Sequence, residues 1–420
     1  MTVDSQGPPP RRGRRRISRR DVIVGGAWVG VGVGVTAAIA ATGGNASSEV
    51  VIDSYPLARP DKPIKLPITA DNPAIEDGLD PATEAGGAFK ILNYDAYMAP
   101  GIMKDFGEKY GVEVQVTPYT NYDGMMNLIT APGAEFDLVF PGPSILGRLV
   151  FGKLMQPLNH SYIPNLKNVW PEYQDPWYDL KAQYTVPYTV YTTGVGYRAD
   201  RVSDPDEGYM MLWNSDYKGK VSVIDDAGEA IGMSMLAWDI TRNINTDNPE
   251  LIQAATDKLI ELVDLVSVKV TVSQFEKIPN GELTVAQAWS GDMLASQFYL
   301  PKGVGPEVLG YWVPESPHDR VIGNDVIGIL SSAKKPILAH LFLDYLLSVD
   351  GAYRNMGWNG YQQPLDDLNA DFLVSEGFIP DNLMSAVVVP EDFATGLTFY
   401  EVPPAVLNEW LAAFQEFNSA

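Results

Sequence analysis

Four carboxylates in this chain, Asp95, Asp226, Glu229 and Asp325, sit beside apolar runs and turns, where side chains reach a ligand most easily. Asp95 follows Phe89-Lys90-Ile91-Leu92 and lies between Tyr94 and Tyr97. A carboxylate beside aromatic faces holds an alkylammonium, by ion pairing and by cation–π contact. The plainer alternative is a turn aspartate flanked by two half-buried tyrosines. Asp226-Ala227-Gly228-Glu229 has the spacing of a helix N-cap box, in which two acids satisfy free backbone N–H groups. Outer carboxylate oxygens still face a cleft in that arrangement. The helix dipole opposes a cation there, so a cation site needs both acids ionised. Asp325 leads into Val326-Ile327-Gly328-Ile329-Leu330, which reads as a fully buried strand. It is therefore either paired internally or turned to a ligand. Trp289 ends an apolar stretch at Ser290-Gly291, and Tyr361 lies in a turn after Gly360. The tryptophan suits a core or a ligand wall, and the turn tyrosine has less core to join.

Catalytic constellations are scarce. His160, His318 and His340 are far apart and lack metal-ligand spacing. There is no cysteine, which removes disulfides, thiolate catalysis and a lipid-modified N-terminal cysteine together. No nucleophile elbow or phosphate loop is present; Gly30, Gly32 and Gly34 follow no strand and precede no suitably spaced acid. No cofactor is called for. Paired carboxylates such as Asp226 and its neighbours also serve glycoside hydrolysis, so an exported hydrolase stays as the alternative of another class.

The elements that must position these residues begin at Phe89. Pro100 opens a helix with Ile102, Met103, Phe106 and Tyr110 on one face and Gly111 just past its end. Val112–Val116 alternates as a strand, a second helix lies around Met125–Thr130, and Asp137–Phe140 is a buried-type strand. The pattern restarts at Gly219–Ile224, with helices near 229–242, 248–266, 335–348 and 403–417. Strand–helix alternation of this kind means an α/β protein with a largely parallel sheet. Ligands in such sheets sit beyond the carboxyl ends of strands. That rule marks 93–97, 142–144 (hence Ser144), 225–229 and 323–325.

Charge divides the chain. Seven of its 30 basic residues and one of its 53 acids fall in residues 1–20, leaving a body of 23 basic against 52 acidic side chains. A net of −29 repels nucleic acid and attracts cations, or simply keeps the surface soluble. The arginines precede an uncharged run whose core, Val22–Ala41, is apolar but carries five glycines. Ser18-Arg19-Arg20-Asp21-Val22-Ile23 resembles a twin-arginine export signal. Residues 1–48 therefore read as a signal, or as an uncleaved membrane anchor, since about 20 apolar residues span a bilayer. Either way the body lies in the periplasm or outside the cell. Residues 49–86, rich in Pro, Asp and Gly, read as an extended arm.

From about residue 88 onward the chain resembles the bacterial polyamine-binding proteins, the extracytoplasmic receptors of spermidine/putrescine ABC importers. The resemblance rests on stretches that match in order. They are Asn93-Tyr94-Asp95-Ala96-Tyr97, Asp137-Leu138-Val139-Phe140-Pro141, Val186-Pro187-Tyr188, Gly194-Val195-Gly196-Tyr197, Leu212-Trp213, Tyr217-Lys218-Gly219, Asp225–Glu229, Trp289-Ser290-Gly291, Asp325 and Gly360-Tyr361. It implies a two-lobed periplasmic-binding-protein fold of the class II type, with the ligand in the interlobe cleft. One lobe would take 87–190 and 324–362, the other 191–323 and 363–420. Position by position, it makes Asp226, Glu229 and Asp325 the amine-binding carboxylates, and Tyr94, Tyr97, Trp289 and Tyr361 the walls around a methylene chain. The implied partners are a polyamine or other organic cation, the ABC permease subunits and the twin-arginine export machinery. The same fold could instead take a thiamine-like cation, a sugar or a peptide. The departures are Gly323, where spermidine receptors carry tryptophan, the loop Gly142-Pro143-Ser144, the added carboxylate of Asp95, and a glutamine contact near the C-terminus without a clear counterpart, for which Glu401 is a candidate. They predict a clamp with less bulk and more charge.

Overall fold

In a computed structural model, the residues described are 55–94, 97–119 and 121–420. The proposed signal or anchor of residues 1–48, the first residues of the arm, and Asp95 lie outside them. Strands are β1 (Ala88–Tyr94), β2 (Glu113–Tyr119), β3 (Leu138–Val139), β4 (Met155–Gln156), β5 (Thr185–Arg198), β6 (Val221–Ile224), β7 (Lys269–Thr271), β8 (Val285–Trp289), β9 (Leu309–Trp312) and β10 (Val321–Leu330). The main helices are α1 (Pro100–Tyr110), α2 (Tyr122–Thr130), α3 (Pro143–Phe151), α4 (Ala227–Ala237), α5 (Pro249–Val266), α6 (Ser290–Ser296), α7 (Pro336–Leu346), α8 (Val349–Asn359) and α9 (Pro404–Ser419). Among the described residues, no helix is long and apolar enough to cross a membrane.

The strands form a continuous order β2-β1-β3-β10-β5-β8-β6-β7, with β4 on β10 and β9 on β5. Parallel pairs occupy the two ends, β1 with β2 and β3, and β6 with β7 and β8. The long antiparallel strands β5 and β10 join them through the middle. Two parallel α/β halves linked by long crossing strands make the two-lobed fold. The largest core runs through the first half and on to Ala286, Met293 and Leu309, and two smaller ones flank it. Ile102 and Phe106 of α1 pack with Phe342 and Leu343 of α7 against Phe89, Ile91 and Ile329. Val221 and Val223 are covered by Ile231, Leu259, Trp410 and Phe414 from α4, α5 and α9. A third cluster covers the other face of the first half, with Leu146 and Leu149 of α3 packed near Tyr178 and Tyr184.

The start of α1 at Pro100 and its end at Gly111, which takes φ 66° in the left-handed region, follow the expected signals. The fourteen-residue β5 is the element that motif reading leaves in pieces. A register shift opposite Asp325/Val326 interrupts its alternation where Pro187 sits, as at a β-bulge.

The arm is extended and bound along the body. Leu66 is fully buried, and Ile64 N–H donates to the Trp177 carbonyl at 3.1 Å. Burial of one leucine stabilises by roughly 2 kcal/mol. Glu84 supplies what α7 lacks at its own N-terminus. Lys335 makes no side-chain cap, and the Glu84 carboxylate accepts from Ile337 N–H at 3.0 Å and Leu338 N–H at 2.8 Å. Glu84→Ala is therefore expected to lower unfolding stability by about 1–2 kcal/mol, read as a shift in urea midpoint. An unchanged midpoint would mean that solvent caps α7 equally well.

Candidate functional site

The carboxyl ends of β1, β6 and β8 converge on the crossing of β5 and β10, and the expected residues meet there. Asp325 stands in β10 at the bulge. Tyr97 O–H donates to its Oδ2 at 2.7 Å, and the same hydroxyl is 2.8 Å from Thr189 Oγ1. Burial raises the Asp325 carboxyl to about 6, with the bonds from Tyr97 and Thr189 acting against it.

Across the cleft, Asp226 caps α4 by accepting from Glu229 N–H at 3.0 Å. The reciprocal half of a capping box does not form. The Glu229 side chain turns away from the Asp226 backbone, and its Oε1 accepts from Trp289 Nε1 at 2.8 Å and Thr193 Oγ1 at 3.2 Å. Burial first, and the charge of Asp226 second, raise Glu229 to about 7. Its other oxygen, Oε2, is buried without a hydrogen-bond partner. Asp226 is open to solvent at the mouth, yet the surrounding protein and Asp225 hold its carboxyl above the usual range. Among the described residues, no lysine or arginine forms an ion pair with Asp226, Glu229 or Asp325. A partly open cavity of about 70 Å³ is lined by Glu229, Asp325, Ser144, Tyr122, Tyr191 and Phe399 among others.

The aromatic residues form a connected set. Tyr97 meets Tyr94 edge-to-face at 5.9 Å and Tyr361 at 5.5 Å. Tyr361 lies over Gly291, where an added Cβ would fall 2.4 Å from the ring, and its hydroxyl donates to Asp292 at 2.8 Å. Trp289 has a polar duty as well, since its indole N–H orients Glu229. Ser144 opens α3 and bonds with the Tyr122 hydroxyl. Glu401, a candidate replacement for a glutamine contact, is turned to the arm instead, where Tyr55 O–H donates to it.

Sequence reading missed one strand face. Thr189, Tyr191 and Thr193 follow the period of two and share the cleft side of β5. Thr189 meets Tyr97 beside Asp325, and Thr193 meets Glu229. Tyr191, between them, covers Gly323. An added Cβ there would lie 2.3 Å from the tyrosine ring. The expected loss of bulk at Gly323 is therefore corrected: the bulk is present, but it comes from the neighbouring strand. Alternation through 189, 191 and 193 was the available signal, and the bulge at Pro187 obscured it.

Residues 101–375 match the family described as bacterial extracellular solute-binding protein. The spermidine/putrescine-binding periplasmic protein of Escherichia coli K12 is 25% identical over 277 residues, covering 65% of this chain and 76% of that protein. The putrescine-binding periplasmic protein PotF of the same organism is 25% identical over 272 residues, covering 62% and 73%. Among solved structures, the spermidine/putrescine ABC transporter substrate-binding protein PotD of Streptococcus pneumoniae aligns with a TM-score of 0.65 at 20% identity, covering 79% of this chain and 99% of that one. These matches agree with the two lobes and the cleft between them, and the chain belongs to the bacterial extracellular solute-binding protein family.

Proposed function

We propose that this protein is the receptor of an ABC importer, captures a di- or polyamine in its interlobe cleft, and makes or breaks no bond in it. The observation that carries the reading is Glu229, a buried carboxylate with one oxygen unpartnered, facing a cavity that it shares with Asp325 and, among the described residues, with no lysine or arginine. A buried anion in that condition is costly unless a positive group joins it. An ammonium supplies both the charge and the missing donor, and its alkyl chain suits the tyrosine and tryptophan faces. Asp226, Glu229 and Asp325 would take the charges, Tyr94, Tyr97, Trp289 and Tyr361 would line the chain, and Ser144 and Asp95 would border the site. The named relatives, which bind spermidine or putrescine, support the same class of ligand.

In this reading residues 87–190 with 324–362, and 191–323 with 363–420, close on the ligand about β5 and β10. The closed form then docks on membrane permease subunits. Residues 1–48 deliver the body through the twin-arginine route, and uncleaved they would hold it to the membrane as an anchor. A thermal-shift screen of the full chain against putrescine, cadaverine, spermidine, spermine, thiamine and neutral sugars tests the proposal. A saturable rise with an amine supports it. A rise with a sugar alone, beside a flat response to every amine, would discard the carboxylate cage while leaving the family intact.

A further inference from the structure

Tyr191 lies on β5 directly across the ladder from Gly323 of β10. The ring rests on the glycine backbone, since an added Cβ would lie 2.3 Å from Cε2 and 2.5 Å from Cζ. A side chain at 323 and this ring position are mutually exclusive. Edge-to-face contacts with Trp289 at 6.1 Å and Tyr361 at 5.8 Å hold the ring from its other sides. Both Asp325 and Glu229 act electrostatically on its hydroxyl, as expected of a group between them.

The strand also provides a ruler. Asp325 is anchored beside Thr189 and Glu229 beside Thr193, four residues apart on β5. At the usual rise, those anchor points are roughly 13 Å apart. A charge-assisted hydrogen bond of about 2.8 Å at each end leaves roughly 7 Å between two ligand nitrogens. That is the span of an extended four- or five-carbon diamine.

Resting on the amine-receptor reading above, we propose that Tyr191 is the specificity-determining residue of the site: seated on Gly323 between Asp325 and Glu229, it limits the ligand to a short linear diamine and excludes the longer triamine. The ring face contacts the methylene chain, and its bulk closes the notch through which a third amine would extend.

Titration calorimetry on the full chain with 1,4-diaminobutane and with spermidine tests this. The wild type should prefer the diamine by about tenfold or more, the scale on which a filled pocket rejects extra methylenes. Tyr191→Ala should bring the two affinities within about threefold or invert them. Tyr191→Phe should keep the wild-type ratio, because the ring and not the hydroxyl sets the length. Should the alanine variant unfold, Tyr191→Leu gives the same reading, with an intermediate ratio expected. Equal or tighter binding of spermidine by the wild type, or a wild-type ratio in the folded alanine or leucine variant, would overturn the role of Tyr191 while leaving amine capture intact. Failure of the wild type to bind either amine would instead remove the receptor reading itself, and this inference with it.

Discussion

Glu229→Gln is expected to abolish amine capture while raising the melting temperature of the empty protein at pH 8. The two effects have one cause. In the empty site the ionised Glu229 is buried, repelled by Asp226 and short of one hydrogen bond, which is why its carboxyl is raised to about 7. A shift of that size corresponds to about 3 kcal/mol held against the folded state when the group is charged. Glutamine removes the charge and keeps the shape, so the empty protein gains up to that amount. A bound ammonium then loses its buried counter-charge, at a cost of about 3–5 kcal/mol, or a hundredfold to several-thousandfold in affinity. Calorimetry and thermal melts on the same preparation separate the outcomes. Wild-type affinity in the variant would remove Glu229 from the site. Lost binding with a lower melting temperature would mark the side chain as structural.

Affinity for an amine is expected to weaken about tenfold between pH 8 and pH 6, and more steeply below. The ligand stays charged across this range, since alkylammoniums titrate near 10. The protein side changes: Glu229 takes up a proton below about 7 and Asp325 below about 6. Stability of the empty protein runs the other way. Both groups have folded values above their unfolded ones, so their contribution is fully present below about 4 and is lost as pH rises through 6 and 7. Asp179, buried and raised to about 6, and Glu401, raised to about 7, titrate in the same window. The share of Glu229 is therefore the difference between wild type and Glu229→Gln across pH. A flat affinity from pH 8 to pH 5 would show that the carboxylates do not meet the ligand's charge.

Much of the fold was legible because its signals are local. Pro100 and Gly111 bracket α1, Asp226 caps α4, and the short apolar runs at 89–92 and 221–224 become parallel strands. Tyr97, Glu229, Trp289, Asp325 and Tyr361 stood out as acids and aromatics near turns and apolar runs, but Asp325, expected ahead of a strand, lies inside β10. The partners that define their duties did not stand out. Trp289 reaches Glu229 from 60 positions away, and Tyr97 reaches Asp325 from 228. Glu84 caps a helix that begins more than 250 residues later.

The amino-acid sequence by itself determined many of the elements and the class of fold, because periodicity, turns and caps are set by near neighbours. Tertiary structure alone decided that Tyr191 fills the space over Gly323, that one oxygen of Glu229 is left without a donor, and that the arm is bound to the body. Each of those depends on how two distant segments pack, and packing brings together groups whose separation along the chain carries no trace of the contact.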